Sequence, residues 1–178
     1  MLLKISDSIG LNVQWLLTGE GPMRPGEEQP LQEQHQAAFE EEFALVAGYN
    51  IQVSAGHGAF PACEKPTRHL AFRHKWLRFR GLRVKDLVLV FVKGDSMEPT
   101  ISDNDTVMVD MSQRSLIDGA LFVIRVNCHL VVKRVQTLLN RNIKLISDNK
   151  EYAPEELKPE EMADLEVIGR VVWVGKDV

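Results

Sequence analysis

The feature that most constrains the fold is a series of short apolar runs, rich in β-branched residues, that begins near residue 43. These runs are bounded by Gly, Asp or Asn, as strands are in compact β proteins. One segment between them, RHKWLRFRGL, is typical of a short helix. The pattern predicts a compact, mostly β domain over 43–178, built as a twisted sheet or a partly closed barrel. The predicted strands are NIQVSAG, DLVLVFVKG, DTVMVD, ALFVIRV, HLVVKRVQTLL, NIKLIS and LEVIGRVVWVG.

The first 19 residues predict two short helices. Apolar residues at helical spacing indicate a first helix that stops at Gly10. Asn12 is placed to cap a second helix, which runs through Leu17 and ends at Gly19. Because two short helices cannot bury a core of their own, we interpret 1–19 as a helical N-terminal remnant of something larger, or as a docking piece.

Residues 20–42 separate this remnant from the β domain. The segment contains three prolines and many glutamates and glutamines, with few apolar residues. That composition favours an extended, solvated linker. The alternative is a helix over 31–42, where LQEQHQAAFEEE is made of good helix formers.

Composition narrows the class of protein further. The formal charge of −4 does not suit a chain that binds nucleic acid through a general basic surface. Two cysteines, Cys63 and Cys128, are too few for a disulfide framework, and the chain has neither a secretory signal pattern nor the roughly 18–20 apolar residues that span a bilayer. We therefore expect a cytoplasmic protein that does not enter membranes.

Cys63 with His57, His69 and His74 matches no zinc spacing, so we expect no metal or other cofactor.

A serine in the stretch VKGDSMEPTISDNDTVMVD, residues 92–110, suggests nucleophilic chemistry. A nucleophilic Ser96 needs a base, and none of the five histidines lies in a recognisable triad context. Lysine is the other candidate. In HLVVKRVQ, Lys133 shares one strand face with Val131 and Val135. If that face is buried, desolvation disfavours the ammonium and favours the neutral amine that can accept a proton.

The turn around this serine offers a second catalytic feature. The backbone N–H groups of Asp95 and Ser96 could stabilise an oxyanion. On the pattern alone, however, GDSMEP also fits a polar turn that enters a short helix, with Ser96 as its N-cap.

Taken together, G-D-S-M-x-P-T-I, the acidic pair before the next strand and the later V-K-R resemble the LexA and phage-repressor family of self-cleaving regulators. The resemblance covers most of 43–178. It implies a twisted, mostly β peptidase domain in which Ser96 is the nucleophile and Lys133 the general base. The family cuts its own chain between Ala and Gly upstream of the nucleophile. In IQVSAGHGAF the corresponding bond is Ala55–Gly56, where glycines give the backbone the freedom to enter the site.

The N-terminal segment carries a separate resemblance. LLKISDSIGLNVQWLLTGEGP, and WLLTGEGP above all, is similar to the last two helices of a phage-repressor helix-turn-helix domain. The upstream helices, including the one that would enter the major groove, are missing, so we do not expect this chain by itself to read DNA. The resemblance implies three partners: a second copy of the chain in a homodimer, operator DNA contacted only through the missing helices, and the RecA filament on single-stranded DNA.

Three other functions compete with a self-cleaving repressor. A translesion-polymerase accessory subunit shares the self-cleaving domain but carries no DNA-binding head, which the WLLTGEGP segment argues against. A signal peptidase also uses Ser and Lys but needs a membrane anchor. A non-cleaving dimerisation module with a vestigial Ser–Lys pair remains open on sequence alone.

Overall fold

The computed structural model describes residues 11–19, 21–24, 31–53, 65–126, 129–161 and 165–176. The chain divides into two compact units, 1–43 and 44–178. The first predicted helix lies outside the described residues. The second is confirmed as α1, Val13–Thr18. The Asn12 side chain accepts a hydrogen bond from Gln14 N at 2.9 Å, and Gly19 ends the helix with φ at 73°.

Residues Leu31–Glu42 form a second helix, α2, so the extended interpretation of this stretch is wrong for these twelve residues. The physical reason lies in the composition. All three prolines of the stretch precede this point, and the twelve residues are Leu, Gln, Glu, Ala, His and Phe, most of which favour helix. Their assignment to a linker between two domains stays a prediction.

Nine strands of the described residues form one sheet, and the prediction of a mostly β domain is confirmed. The sheet order is β2-β1-β3-β4-β9-β5-β6-β7-β8. All seven predicted runs contain strand residues. The strands are β1 Phe43–Val53, β2 Arg68–Arg73, β3 Leu87–Val92, β4 Thr106–Asp110, β5 Leu121–Val126, β6 His129–Thr137, β7 Ile143–Ile146, β8 Glu155–Leu157 and β9 Leu165–Gly175.

The described elements include two strands that the sequence did not predict, β2 and β8. A short helix, α3, spans His74–Phe79 inside the segment predicted to be helical. A 3-10 turn at Val84–Asp86 then leads into β3. No membrane-crossing helix is found in the described part of the chain, since none there is both long and apolar enough.

Strand β1 makes a parallel pairing that places its end beside the end of β3. It lies parallel to β3, with Val53 opposite Val92. The pairs of β4 with β3 and β9, of β5 with β9 and β6, and of β7 with β6 and β8 are antiparallel. Parallel neighbours need a long crossover connection, and here the chain between β1 and β3 supplies it.

The core that supports the centre of the sheet also reaches into the loop after β3. Val90, Val107 and Val123 are fully buried, and Met97 and Ile101 from the loop between β3 and β4 pack into the same cluster. Burial of two side chains from this loop fixes its backbone against the sheet, because moving it would expose both.

An ion pair fastens β6 to the turn that follows β7. Arg134 donates to both carboxylate oxygens of Asp148, from Nε at 2.8 Å and from Nη2 at 2.6 Å. This two-point geometry is the strongest form of Arg–carboxylate contact. The Arg134 hydrogen bond lowers the pKa of Asp148 below its ordinary value of 3.8.

We expect Phe122→Ala to lower the free energy of unfolding by about 3–5 kcal/mol, because it empties a fully buried ring site in the core. The matched control is Phe79→Ala, whose ring is 85% exposed and which should change stability by less than about 0.5 kcal/mol. Urea denaturation of both variants tests this. Equal losses in the two would contradict the burial of Phe122.

The Asp148 pair predicts a pH dependence of stability. Because the folded pKa of Asp148 is depressed, the pair stabilises the fold above the unfolded pKa and is lost as the pH falls through the folded value. Asp148→Asn should therefore cost about 1 kcal/mol near pH 7 and almost nothing once the pH is low enough to protonate the parent carboxyl. Denaturation of parent and variant from pH 7 downward measures the difference, with exposed Glu160→Gln as control. A difference independent of pH would be inconsistent with this pair.

Candidate active site

The loop that carries Ser96 is closed at its base by hydrogen bonds between its two ends. Val92 N donates to Asp105 O at 2.9 Å, and Asn104 N donates to Val92 O at 2.8 Å. Gly94 N donates to Asp103 Oδ1 at 2.7 Å, and this hydrogen bond is the main cause of a lowered Asp103 pKa. The loop is therefore held on the end of the sheet by both backbone and side-chain contacts.

Ser96 itself lies half-buried at a turn rather than at the start of a helix. Glu98 N donates to Asp95 O at 3.0 Å, and Ile101 N donates to Met97 O at 2.9 Å. These bonds make two tight turns, and no α-helix follows them in the described chain. Ser96 Oγ caps no backbone N–H there, so the N-cap interpretation is wrong.

Lys133 lies in the middle of β6, opposite Phe122 of β5. Its side chain is only 10% exposed, so the lysine itself is buried. Nζ donates to Ser147 Oγ at 2.9 Å and lies 3.5 Å from Glu155 Oε1. The Ser147 side chain is buried, whereas that of Glu155 is 58% exposed.

Within the described residues, Ser96 and Lys133 are not joined by a direct hydrogen bond. The loop between β7 and β8 (residues 147–154, here the β7–β8 loop) contacts both of them. Its first residue, Ser147, accepts from Lys133, and Asn149 N donates to Ser96 O at 3.1 Å. Two residues of extended chain span at most about 7 Å, so this loop brings the serine turn and the lysine to one region of the molecule.

The predicted oxyanion donors lie on the same turn. Among the described residues, the N–H groups of Asp95 and Ser96 donate to no acceptor. The carbonyls of the same two residues are both used: Asp95 O accepts from Glu98 N and from Asn149 Nδ2, the latter at 3.2 Å. The role of these two N–H groups in catalysis stays a prediction.

The predicted cleavage site, Ala55–Gly56, lies outside the described residues. Strand β1 ends two residues before it, at Val53, where it pairs with Val92 of β3. Val92 in turn stands four residues before Ser96. The last described residue before the predicted bond therefore lies beside the strand that leads to the serine.

Sequence reasoning missed the polar groups that surround the lysine and the serine turn. Ser147, Asn149 and Tyr152 follow a buried strand, where Ser, Asn and Asp are ordinary turn formers. Nothing in that composition distinguishes a supporting loop from a simple turn. Glu155 lies 22 positions from Lys133, and only strand pairing brings them together.

The described residues hold no group of three or more His, Cys, Asp or Glu arranged to bind a metal ion. The polar side chains that surround Lys133 and the Ser96 turn are those of a serine, an asparagine, a tyrosine and a glutamate. The hydroxyl of Ser96 and the buried amine of Lys133 are the parts that nucleophilic chemistry requires.

Comparison with known proteins agrees with this chemistry. Residues 45–172 match the Peptidase S24-like family. An uncharacterized HTH-type transcriptional regulator of Haemophilus influenzae is 31% identical, over 98% of this chain and 77% of that protein. The HTH-type transcriptional regulator PrtR of Pseudomonas aeruginosa is also 31% identical, over 97% and 73% of the two chains. The repressor protein CI of phage phi80 is 29% identical, over 96% and 76%.

The family match covers most of the chain and includes Ser96, Lys133 and every strand from β3 to β8. The three regulators extend the similarity to the N-terminal unit. The chain therefore belongs to the S24-like peptidase family, that of LexA and the phage repressors.

Proposed function

We propose that this protein is a transcriptional repressor of the phage or SOS type that is inactivated when it cuts its own chain at Ala55–Gly56. The observation that carries the proposal is the burial of Lys133 in a domain of the S24-like peptidase family. Similarity to transcriptional regulators over both units supports the repressor part.

In the proposed reaction, Ser96 Oγ attacks the carbonyl carbon of Ala55 while its proton passes to the neutral amine of Lys133. The N–H groups of Asp95 and Ser96 stabilise the oxyanion of the tetrahedral intermediate. The bond between Ala55 and Gly56 then breaks, and Lys133 gives its proton to the new amino group of Gly56. Water hydrolyses the ester left between Ala55 and Ser96, which frees residues 1–55 from 56–178.

The contacts of Lys133 suggest that cleavage is slow in the isolated protein. A carboxylate 3.5 Å from Nζ stabilises the charged ammonium, which cannot act as a base. The amine also donates to Ser147 rather than to Ser96. To start the reaction, the Lys133 amine has to turn from Ser147 toward Ser96. A repressor that can cut itself must cleave slowly before induction, because attack by a group of the same chain would otherwise be fast.

The pairing of β1 with β3 supports delivery of the cleavage segment. Val53 is held beside Val92, and only two residues separate Val53 from the bond to be cut. Covalent reach therefore keeps the bond in the neighbourhood of the serine turn. Delivery of the bond to Ser96 therefore requires no movement between domains.

Self-cleavage is tested by incubating the purified chain at alkaline pH, because only a neutral amine can accept the proton of the serine. We expect slow conversion to fragments 1–55 and 56–178, identified by mass. Ser96→Ala and Lys133→Ala should each reduce the rate by at least about 100-fold. The matched control is Ser115→Ala, an exposed serine, which should cleave at the parental rate. An intact parent chain would favour the non-cleaving dimerisation module.

Repression and its relief follow from tethering. In the proposed homodimer of the parent repressor, which would carry the helices missing here, the peptidase domains pair and each holds one DNA-binding head, so two heads meet the operator at a high effective concentration. Cleavage separates the DNA-binding head from the dimerisation domain, so the high effective concentration at the operator is lost.

An inducer must bind the cuttable conformer better than the resting one, and we propose the RecA filament on single-stranded DNA for this role.

We expect RecA assembled with single-stranded DNA and nucleotide to accelerate the cleavage at neutral pH by at least about tenfold. Ser96→Ala should stay intact under the same conditions, which excludes a contaminating protease. RecA without DNA is the second control. Cleavage at alkaline pH that the filament does not accelerate would contradict the inducer while leaving the self-cleaving domain in place.

A further inference from the structure

We infer that the β7–β8 loop positions both candidate catalytic groups, with Ser147 holding the amine of Lys133 and with Asn149 and Tyr152 holding the turn of Ser96. This inference rests on the proposed function, since it assigns supporting residues to the same reaction. Ser147 is a positioning residue: it acts through Lys133 and not on the scissile bond.

The first contact is the hydrogen bond from Lys133 Nζ to Ser147 Oγ at 2.9 Å. Both side chains are buried, so the hydroxyl takes the place of the water that an amine would otherwise require. Ser147 stands one residue beyond the last residue of β7, where Ile146 pairs with Arg134 of β6. The register of the sheet therefore fixes the hydroxyl beside the amine.

The second set of contacts runs from the same loop to the serine turn. Asn149 donates twice, from its backbone N–H to Ser96 O and from Nδ2 to Asp95 O. Tyr152 Oη donates to Asp95 Oδ1 at 2.6 Å. That hydrogen bond to the carboxylate raises the pKa of the Tyr152 phenol. Three hydrogen bonds therefore tie the turn to the loop.

The part of the loop that follows Ser147 is itself held in place by further contacts. The ion pair between Arg134 and Asp148 attaches it to β6, and Glu151 N donates to Asn149 Oδ1 at 3.0 Å. After the loop, β8 pairs with β7 and places Glu155 near the amine. The lysine and the serine turn are thus both hydrogen-bonded to the β7–β8 loop. A shift of that loop would change the position of one relative to the other.

The experiment compares five full-length variants with the parent: Ser147→Ala, Ser147→Thr, Tyr152→Phe, Ser96→Ala and the exposed control Ser115→Ala. Three quantities are measured, namely the first-order rate of self-cleavage, the rate at which a small fluorophosphonate labels Ser96, and the melting temperature. Labelling reports on activation of the serine without any need to dock the cleavage segment.

We expect Ser147→Ala to slow both cleavage and labelling by about 10- to 100-fold, because the amine loses its fixed position. Ser147→Thr keeps the hydroxyl and should restore most of that loss. Tyr152→Phe should slow both rates by about two- to tenfold with little change in melting temperature, because its phenol is exposed and makes one hydrogen bond to the turn.

Two results would overturn the inference while leaving the proposed function in place. One is cleavage of Ser147→Ala and Tyr152→Phe at the parental rate. The other is a folded Ser147→Thr no faster than Ser147→Ala. If both Ser147 variants melt below the parent, Tyr152→Phe decides alone: slowed labelling supports the inference and parental labelling overturns it. A parent chain that neither cleaves nor labels at Ser96 defeats the proposed function and this inference together.

Discussion

The hydrogen bond between Lys133 and Ser147 is the interaction on which the rest of the candidate site depends. An amine inside a β-sheet is costly to bury unless polar groups replace its water. Here Ser147, which directly follows β7, and Glu155, the first residue of β8, supply them. That constraint requires β7 and β8 to continue the sheet beyond β6. The short edge strand β8 is therefore part of the site.

The same contacts suggest how one site can be both competent and restrained. A hydroxyl can accept a hydrogen bond from the amine in either protonation state, whereas the Glu155 carboxylate favours only the charged one. The side chain of Glu155 is 58% exposed, so its attraction is screened by water and can be lost at low cost. A restraint of this strength is compatible with the proposed self-cleavage.

The fold could be predicted from the sequence where local pattern and tertiary structure agree. The β-branched runs of β3 to β7 and β9 are strands, and Asn12 and Gly19 bound α1 as expected. The prediction missed β8, which has one apolar residue in three. It also missed β2, a basic segment of only six residues, which is too short for a clear alternation of apolar and polar residues. It also favoured an extended chain at 31–42, because nearby prolines outweighed twelve helix-forming residues.

The sequence by itself determined the two candidate groups, because the residues around Ser96 and Lys133 form patterns that can be found without the fold. Only the tertiary structure decided what surrounds them. Asn149 and Tyr152 lie more than 50 positions from the turn that they hold, and Ser147 lies 14 positions from the lysine. Contacts over such separations depend on strand register and on one loop folding over another element. A one-residue slip in the register of β6 would turn the Lys133 side chain to the opposite face of the sheet, away from Ser147.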